Sequence, residues 1–324
     1  MTADGVPVHR ITLGDGALKA EFLTLGATLE SLRLDGLGYS LTVGAGRLED
    51  YEGGMRYHGT LIAPVVNRFT DGRAVAGGRE MKLERNLDGR HNLHSGGAGT
   101  HLKVWRIAEV TPDRLDLALD LPDGEGGFPG NRRVAAEYSL ASPAVLRLTI
   151  TARTDRPTVF NAANHSYWNL DGAARWTGHG MRIAAEHYLP ATSDFRPTGE
   201  IAPVAGTSMD FRLARTIAPD DPPLDHCFCL ARRRGPLRSV LWLTGRSGVA
   251  MEVATTEPGI QVYDGRHAAR PGRGAYEGLA IEPECWPDAP NHRGFPSIEL
   301  LPGETYRQIT EWRFSCPGIN PRPA

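Results

Sequence analysis

The chain has 324 residues with 36 basic and 38 acidic side chains, a formal net charge of −2. That balance excludes the strong basic excess expected of a nucleic-acid or anionic-membrane binder, and a chain 40% hydrophobic and 23% charged has the composition of a globular protein. No run of 18 apolar residues is available for a membrane helix, and Met1–Pro7 lacks the apolar stretch of a secretory leader, so neither a membrane nor a nucleic acid is expected as a partner and a cytoplasmic location is. The four cysteines, Cys227, Cys229, Cys285 and Cys316, are few for a disulfide scaffold and read as reduced thiols.

Taken in chain order, the predicted elements are mostly strands. Strand-like runs occupy Leu18 to Leu34, Arg133 to Leu140, Ala144 to Arg153, Val240 to Leu243, Val249 to Thr255 and Glu304 to Phe314. In the third of these Leu146, Leu148 and Ile150 alternate with Arg147, Thr149 and Thr151, a period of two. The only helical signal is a turn at Arg47 to Tyr51. The 38 glycines and 24 prolines are spread between the runs, as in Leu121 to Gly130, and mark turns rather than one disordered tract. Short strands at this spacing predict an all-β sandwich or barrel, one domain over 1–315 with a loose tail at 316–324.

Polar clusters interrupt these strands. Asn67-Arg68 offers an amide and a guanidinium fork for vicinal hydroxyls, although a lone pair of this kind also occurs at any surface strand end. His94 precedes Ser95-Gly96-Gly97, glycines that let backbone approach a ligand, or that simply close a tight turn. Asn161 to Leu170 ends an apolar strand in His165, Tyr167 and Trp168, a proton donor beside aromatic faces that suit the C–H face of a sugar. Asp225-His226-Cys227-Phe228-Cys229 raises a metal question, but the spacing is tighter than in structural zinc sites and no second pair follows, so buried inert thiols and no metal are expected. Gln261 and Tyr263 share one face of a strand. Finally, Tyr276 to Ile281 reads as a strand delivering Glu282 to the mouth of a loop stiffened by Pro283, Pro287 and Pro290, with Trp286 beside the carboxylate. No dinucleotide fingerprint, phosphate loop or nucleophile elbow is present, so chemistry should rest on carboxylates and histidines without a cofactor.

These clusters, in this order, resemble the aldose 1-epimerase (galactose mutarotase) family. Asp123-Gly124-Glu125-Gly126-Gly127-Phe128-Pro129-Gly130-Asn131, Pro197-Thr198-Gly199-Glu200, Gly206 to Phe211 and Pro302-Gly303-Glu304 look like further motifs of that family, so the resemblance covers nearly the whole chain. It implies a large antiparallel β-sandwich with an open sugar cleft, acting on a free aldose such as galactose, glucose or a pentose, as a monomer or weak homodimer. It also implies Glu282 as base and His165 as acid, with His94, Asp225, Asn67, Arg68 and Gln261 binding the sugar. The residue types fit that chemistry: a carboxylate takes the C1 hydroxyl proton, an imidazolium gives one to the ring oxygen, and the open chain recloses on its other carbonyl face.

Four positions depart from the family pattern: Ser95 after His94, Trp168, Asp264 and Glu284. All are expected at the sugar pocket, and Glu284, if it points inward, is expected to raise the pKa of Glu282. Three other readings remain open at this point. A hexose-6-phosphate mutarotase needs cations at the phosphate end, for which Arg73, Arg266 and Arg270 are candidates. A non-catalytic sugar-binding domain has no need of Glu282 with His165, and a glycoside hydrolase would use two carboxylates such as Asp225 and Glu282.

Overall fold

The computed structural model describes residues 1–318. Its largest element is a nine-stranded antiparallel sheet in the order Arg215–Thr216, Gly180–Ile183, Arg238–Thr244, Ala250–Thr255, Tyr306–Ser315, Val145–Thr154, Arg132–Ala141, Arg114–Leu121 and Arg106–Val110. Alternation explains its faces. Leu146, Leu148, Ile150 and Ala152 are buried while Arg147 and Arg153 stand in solvent. Each fully buried leucine or isoleucine of this kind contributes about 1.5–3 kcal/mol relative to exposure.

A six-stranded antiparallel sheet runs in the order Tyr167–Trp168, Leu279–Glu284, Gly259–Tyr263, Asp225–Cys229, His187–Tyr188 and Ala202–Pro203. Its inward residues Ile260, Val262, Leu279, Ile281 and Phe228 join one core cluster with Leu148 and Ile150 of the nine-stranded sheet. Phe22 and Leu32 of a three-stranded sheet (Arg10–Gly14, Leu18–Leu23, Thr28–Leu34) belong to the same cluster. The sheet-on-sheet arrangement around one core is a sandwich, and the all-β expectation holds. The only α-helix among the described residues is the five-residue Leu48–Glu52.

Three boundaries differ from the sequence reading. The run from Leu18 to Leu34 is two strands, because Gly26 (φ 67°) and Ala27 (φ 46°) take left-handed conformations that end the first. The strand expected from Tyr276 begins only at Leu279, and Glu282 lies inside it rather than at a loop mouth. Of the tail, Cys316 packs against the core and 319–324 lie outside the described residues.

The Asp123–Asn131 turn is a fold determinant. Arg132, 1% exposed, donates from Nη1 to the Phe128 carbonyl at 3.0 Å and from Nη2 to that of Pro122 at 2.6 Å. Gly127 has φ 88°, and a Cβ there would collide with the Lys82 carbonyl oxygen, so only glycine fits.

Candidate active site

The outward face of the six-stranded sheet forms the floor of a cavity of about 290 Å³. Period two fixes what this floor presents: with Leu279 and Ile281 in the core, Glu282 must face outward, and with Ile260 and Val262 inward, so must Gln261 and Tyr263. Antiparallel register sets Gln261 directly opposite Glu282 and Asp225 opposite Tyr263. Loops bring Asn67, His94 and His165 over this floor, and the short strand Arg68–Phe69 brings Arg68. The cavity is lined by all seven residues singled out in the sequence: Asn67, Arg68, His94, His165, Asp225, Gln261 and Glu282.

The Glu282 Oε2 lies 3.5 Å from His165 Nε2. Neither this oxygen nor His165 Nδ1 has another partner. Asp225 is held from both sides: Gln261 Nε2 donates to its Oδ1 at 2.6 Å, and Arg68 Nη2 donates to its Oδ2 at 3.1 Å. The second bond is charge-assisted and largely removed from water, so it orients the guanidinium firmly. Arg68 also lies over the Phe195 ring, 5.9 Å from its centroid.

Two loops are locked together by reciprocal bonds. The Asn67 N–H donates to His94 Nδ1 at 3.1 Å, and the His94 N–H donates to the Asn67 carbonyl at 2.8 Å. Since Nδ1 accepts, neutral His94 carries its proton on Nε2. Asn67 (φ 67°), His94 (φ 51°) and Ser95 (φ 65°) are all left-handed, a concentration of backbone strain that the surroundings must hold. Ser95 does part of that: its Oγ accepts from the Val65 N–H and donates to the Val65 carbonyl, both at 2.9 Å.

Burial disfavours the charged forms of both histidines and of Glu282. It pushes His165 down to about 3 and His94 well below the usual histidine range. It raises Glu282 well above the usual carboxyl range, with Asp225 adding to the rise and Arg68 opposing it. Burial thus weighs against the separated charges of the imidazolium–carboxylate pair inferred from residue types, while Arg68 favours the carboxylate.

Several expectations about neighbours fail. Trp168 is fully buried at 0% exposure and packs 5.7 Å from the Trp312 and Phe314 rings, on the core side of its strand. Trp286 donates to the Pro258 carbonyl at 3.0 Å and belongs to a separate cluster with Leu189 and Cys227. Asp264 pairs with Arg266 at 2.6 Å, and Gly97 donates to Glu84 at 2.6 Å. None of these four lines the cavity, and neither do Ser95 and Glu284. The departures from the family pattern thus sit outside the cavity lining: Trp168 is on the core side of its strand, Asp264 and Ser95 are bonded to their own surroundings, and Glu284 is covered by Asn67. Glu284 points outward beneath Asn67, and burial together with the neighbouring Glu282 carboxyl raises its pKa well above the usual carboxyl range.

Side chains that sequence reasoning missed complete the walls: Tyr57, His58, Phe195 and His267. Tyr57 sits 4.7 Å from the His94 ring and 6.0 Å, stacked, from His165. The Tyr57-His58 dipeptide before a glycine was a readable signal; Phe195 carried none beyond its closeness to Pro197-Thr198-Gly199-Glu200. Cys227, Cys229, Cys285 and Cys316 are all unpaired thiols, and burial raises the first three. Among the described residues no three acidic, histidine or cysteine side chains converge as a metal-ligating group.

Comparison with known proteins gives one result throughout. The family model described as aldose 1-epimerase matches residues 9–313. The aldose 1-epimerase of Escherichia coli K12 is 32% identical over 97% of this chain and 97% of its own length. The human galactose mutarotase is 31% identical over 97% of this chain and 96% of its own. Among solved structures, an aldose epimerase homologue from C. elegans superimposes with a TM-score of 0.89 at 25% identity, covering 96% of this chain and 99% of that one. The galactose 1-epimerase of Lactobacillus acidophilus gives 0.85 at 30% identity, covering 98% and 97%.

Proposed function

The chain belongs to the aldose 1-epimerase family, and from that premise we propose that it interconverts the α and β anomers of a free aldose, with Glu282 and His165 as the proton-transfer pair. The observation that carries this reading is the approach of Glu282 Oε2 to His165 Nε2, 3.5 Å, in a cavity of monosaccharide size that also presents Arg68, Asp225 and Gln261. The two neutral groups and the ion pair hold the same number of protons and differ by one transfer. As carboxylate and imidazolium they open the ring: Glu282 takes the C1 hydroxyl proton, His165 protonates the ring oxygen, and the C1–O bond breaks. Those two transfers leave neutral partners beside an open-chain aldehyde. After rotation about C1–C2, Glu282 protonates the carbonyl oxygen and His165 takes the hydroxyl proton as the ring closes. An environment that disfavours isolated charge thus favours the pair as it stands around the aldehyde, while a bound ring hydroxyl and Arg68 favour the charged form.

In this reading Asp225, with Gln261 and Arg68, binds sugar hydroxyls, His94 donates from Nε2, and Asn67 holds the loop rather than the ligand. A phosphorylated substrate is not favoured. Arg266 and Arg270 are paired with Asp264 and Glu277 at 2.6 Å each, and Arg73 with Glu80 at 3.3 Å, none of them in the cavity. A hydrolase using Asp225 is disfavoured because both its oxygens are already engaged. The cavity is complete within one chain, in keeping with a monomer or weak homodimer, and one sandwich domain over 1–315 is supported by a core running from Ile11 to Phe314. Four free thiols suit a reducing compartment, and the reading places the enzyme in the cytoplasm.

The test is polarimetry on freshly dissolved α-D-galactose and α-D-glucose with the spontaneous rate subtracted. Acceleration by the wild type that is lost in Glu282→Gln is expected. Equal acceleration by both proteins would remove Glu282 from the chemistry.

A further inference from the structure

The strand that carries Glu282 ends two residues later in a carboxyl that the proton transfers above do not use. Glu284 has no exposed surface and shares the outward face of the strand with Glu282. Its Oε1 accepts from Asn67 Nδ2 at 3.2 Å, and its Oε2 has no partner. Asn67 is the hub of the loops above: its N–H donates to His94 Nδ1, and its Oδ1 accepts from the Arg68 N–H at 2.9 Å. Glu284 therefore anchors the side chain of the residue that meets Arg68 through its Oδ1 and His94 through its backbone.

The charges around Glu284 decide its state. On its own strand stands Glu282, and Cys285 follows in the chain. From Asp225–Cys229, the next strand but one, come Asp225 and Cys227, and from the turn before Gly259 comes Glu257, which is itself paired with Arg234 at 2.7 Å. Asn67 is the one hydrogen-bond donor to it among the described residues. Glu282, by contrast, opens on a cavity holding Arg68 and His165. Two such carboxyls cannot both ionise in a site removed from water, and the one without a cation keeps the proton.

We propose that Glu284 is a positioning residue of this site: as a neutral carboxylic acid it holds the Asn67 amide, and through it Arg68 and His94, and leaves Glu282 as the member of the pair that ionises. The proposal rests on the mutarotase reading for its kinetic consequence. A neutral carboxyl has the shape and polarity of a glutamine amide, with one difference: it ionises at high pH. Its ionisation then places a second negative charge beside Glu282 and breaks the balance at Asn67, closing the alkaline end of the activity profile.

The experiment compares wild type, Glu284→Gln and Glu284→Ala, by the pH dependence of kcat/KM for galactose mutarotation and by thermal melts across the same pH range. Glu284→Ala, which leaves Asn67 without an acceptor, is expected to lose about tenfold in kcat/KM at neutral pH, and Glu284→Gln to recover most of that loss, as the hydrogen bond is restored. The alkaline limb of Glu284→Gln is expected at higher pH than that of wild type. Burial lifts the folded pKa of Glu284 above its ordinary value of 4.5, so its favourable contribution is complete below that value and is lost as pH rises through the folded pKa. The melting temperature of Glu284→Gln should accordingly gain on that of wild type as pH rises. Superimposable alkaline limbs with a pH-independent stability gap would overturn the proposal, as would a glutamine variant no better than alanine. If the wild type fails to accelerate mutarotation, the mutarotase reading fails, yet the melts still decide the state of Glu284. A reading that needs no change at position 284 comes from infrared spectra of Glu282→Gln: a buried carboxylic-acid band persisting at neutral pH is expected, and its absence overturns the proposal.

Discussion

Two strands of this molecule have similar backbones and opposite purposes. Val145–Thr154, in the nine-stranded sheet, alternates buried Leu146, Leu148 and Ile150 with Arg147 and Arg153 in solvent. Leu279–Glu284, in the six-stranded sheet, is buried at every position, yet it puts Glu282 and Glu284 where the first strand puts its arginines. The first pattern stabilises the fold by taking apolar surface out of water and leaving charge in it. The second gives up stability, because loops carrying Asn67, His94 and His165 close over its polar face and the carboxyls lose hydration. The same rule of alternation thus yields a wall or a reactive floor, depending on what covers the second face.

Substitutions separate these two roles. The largest effect belongs to Glu282→Gln, expected to slow mutarotation by about 10²–10⁴-fold, the usual contribution of positioned acid–base groups. The same variant should melt at a higher temperature than wild type above neutral pH. The folded pKa of Glu282 is raised from 4.5, so its stabilising contribution is whole below that value and is lost as pH rises through the folded pKa. A variant that is inactive and yet no more stable at high pH would show that the floor costs the fold nothing, and the contrast between the two strands would collapse.

Ile150→Ala tests the other wall. It should lose about 2–5 kcal/mol of stability, read by denaturant unfolding, with KM unchanged at temperatures where it is folded. Asp225→Asn comes next. It weakens the bonds to Arg68 and Gln261, each worth about 1.5–3 kcal/mol when charge is involved, and should raise KM about tenfold to a hundredfold with a smaller change in kcat. The smallest effect is expected on the solvent side of the nine-stranded sheet. Asp120→Asn removes a 3.7 Å pair with Arg133 between exposed side chains and should change stability by less than about 0.5 kcal/mol, with activity unaffected.

Much of this was readable from residues in a row. The period of two in Ala144 to Arg153, the turn formers between runs and the Asp123–Asn131 turn identified strands and their ends, since these depend on local backbone preference and on which side chains seek water. The seven polar residues found to line one cavity were also marked by their neighbours in sequence: an amide or carboxyl at the edge of an apolar run must find a partner or water, which places it at a boundary of the core. What stayed hidden depends on contacts between distant segments. Whether Trp168, Trp286 and Asp264 faced the cavity or the interior was settled by which sheet lay on which side, and Phe195 reaches the cavity from a loop with no motif of its own. Protonation was equally out of reach. Glu282, Glu284 and His165 are an ordinary acid, acid and base in the chain, and only the layer folded over them excludes the water that would stabilise their charged forms. Sequence by itself determined where the strands and reactive groups are, because alternation is local; tertiary structure decided which face is covered, and with it where the charge resides, because burial is not.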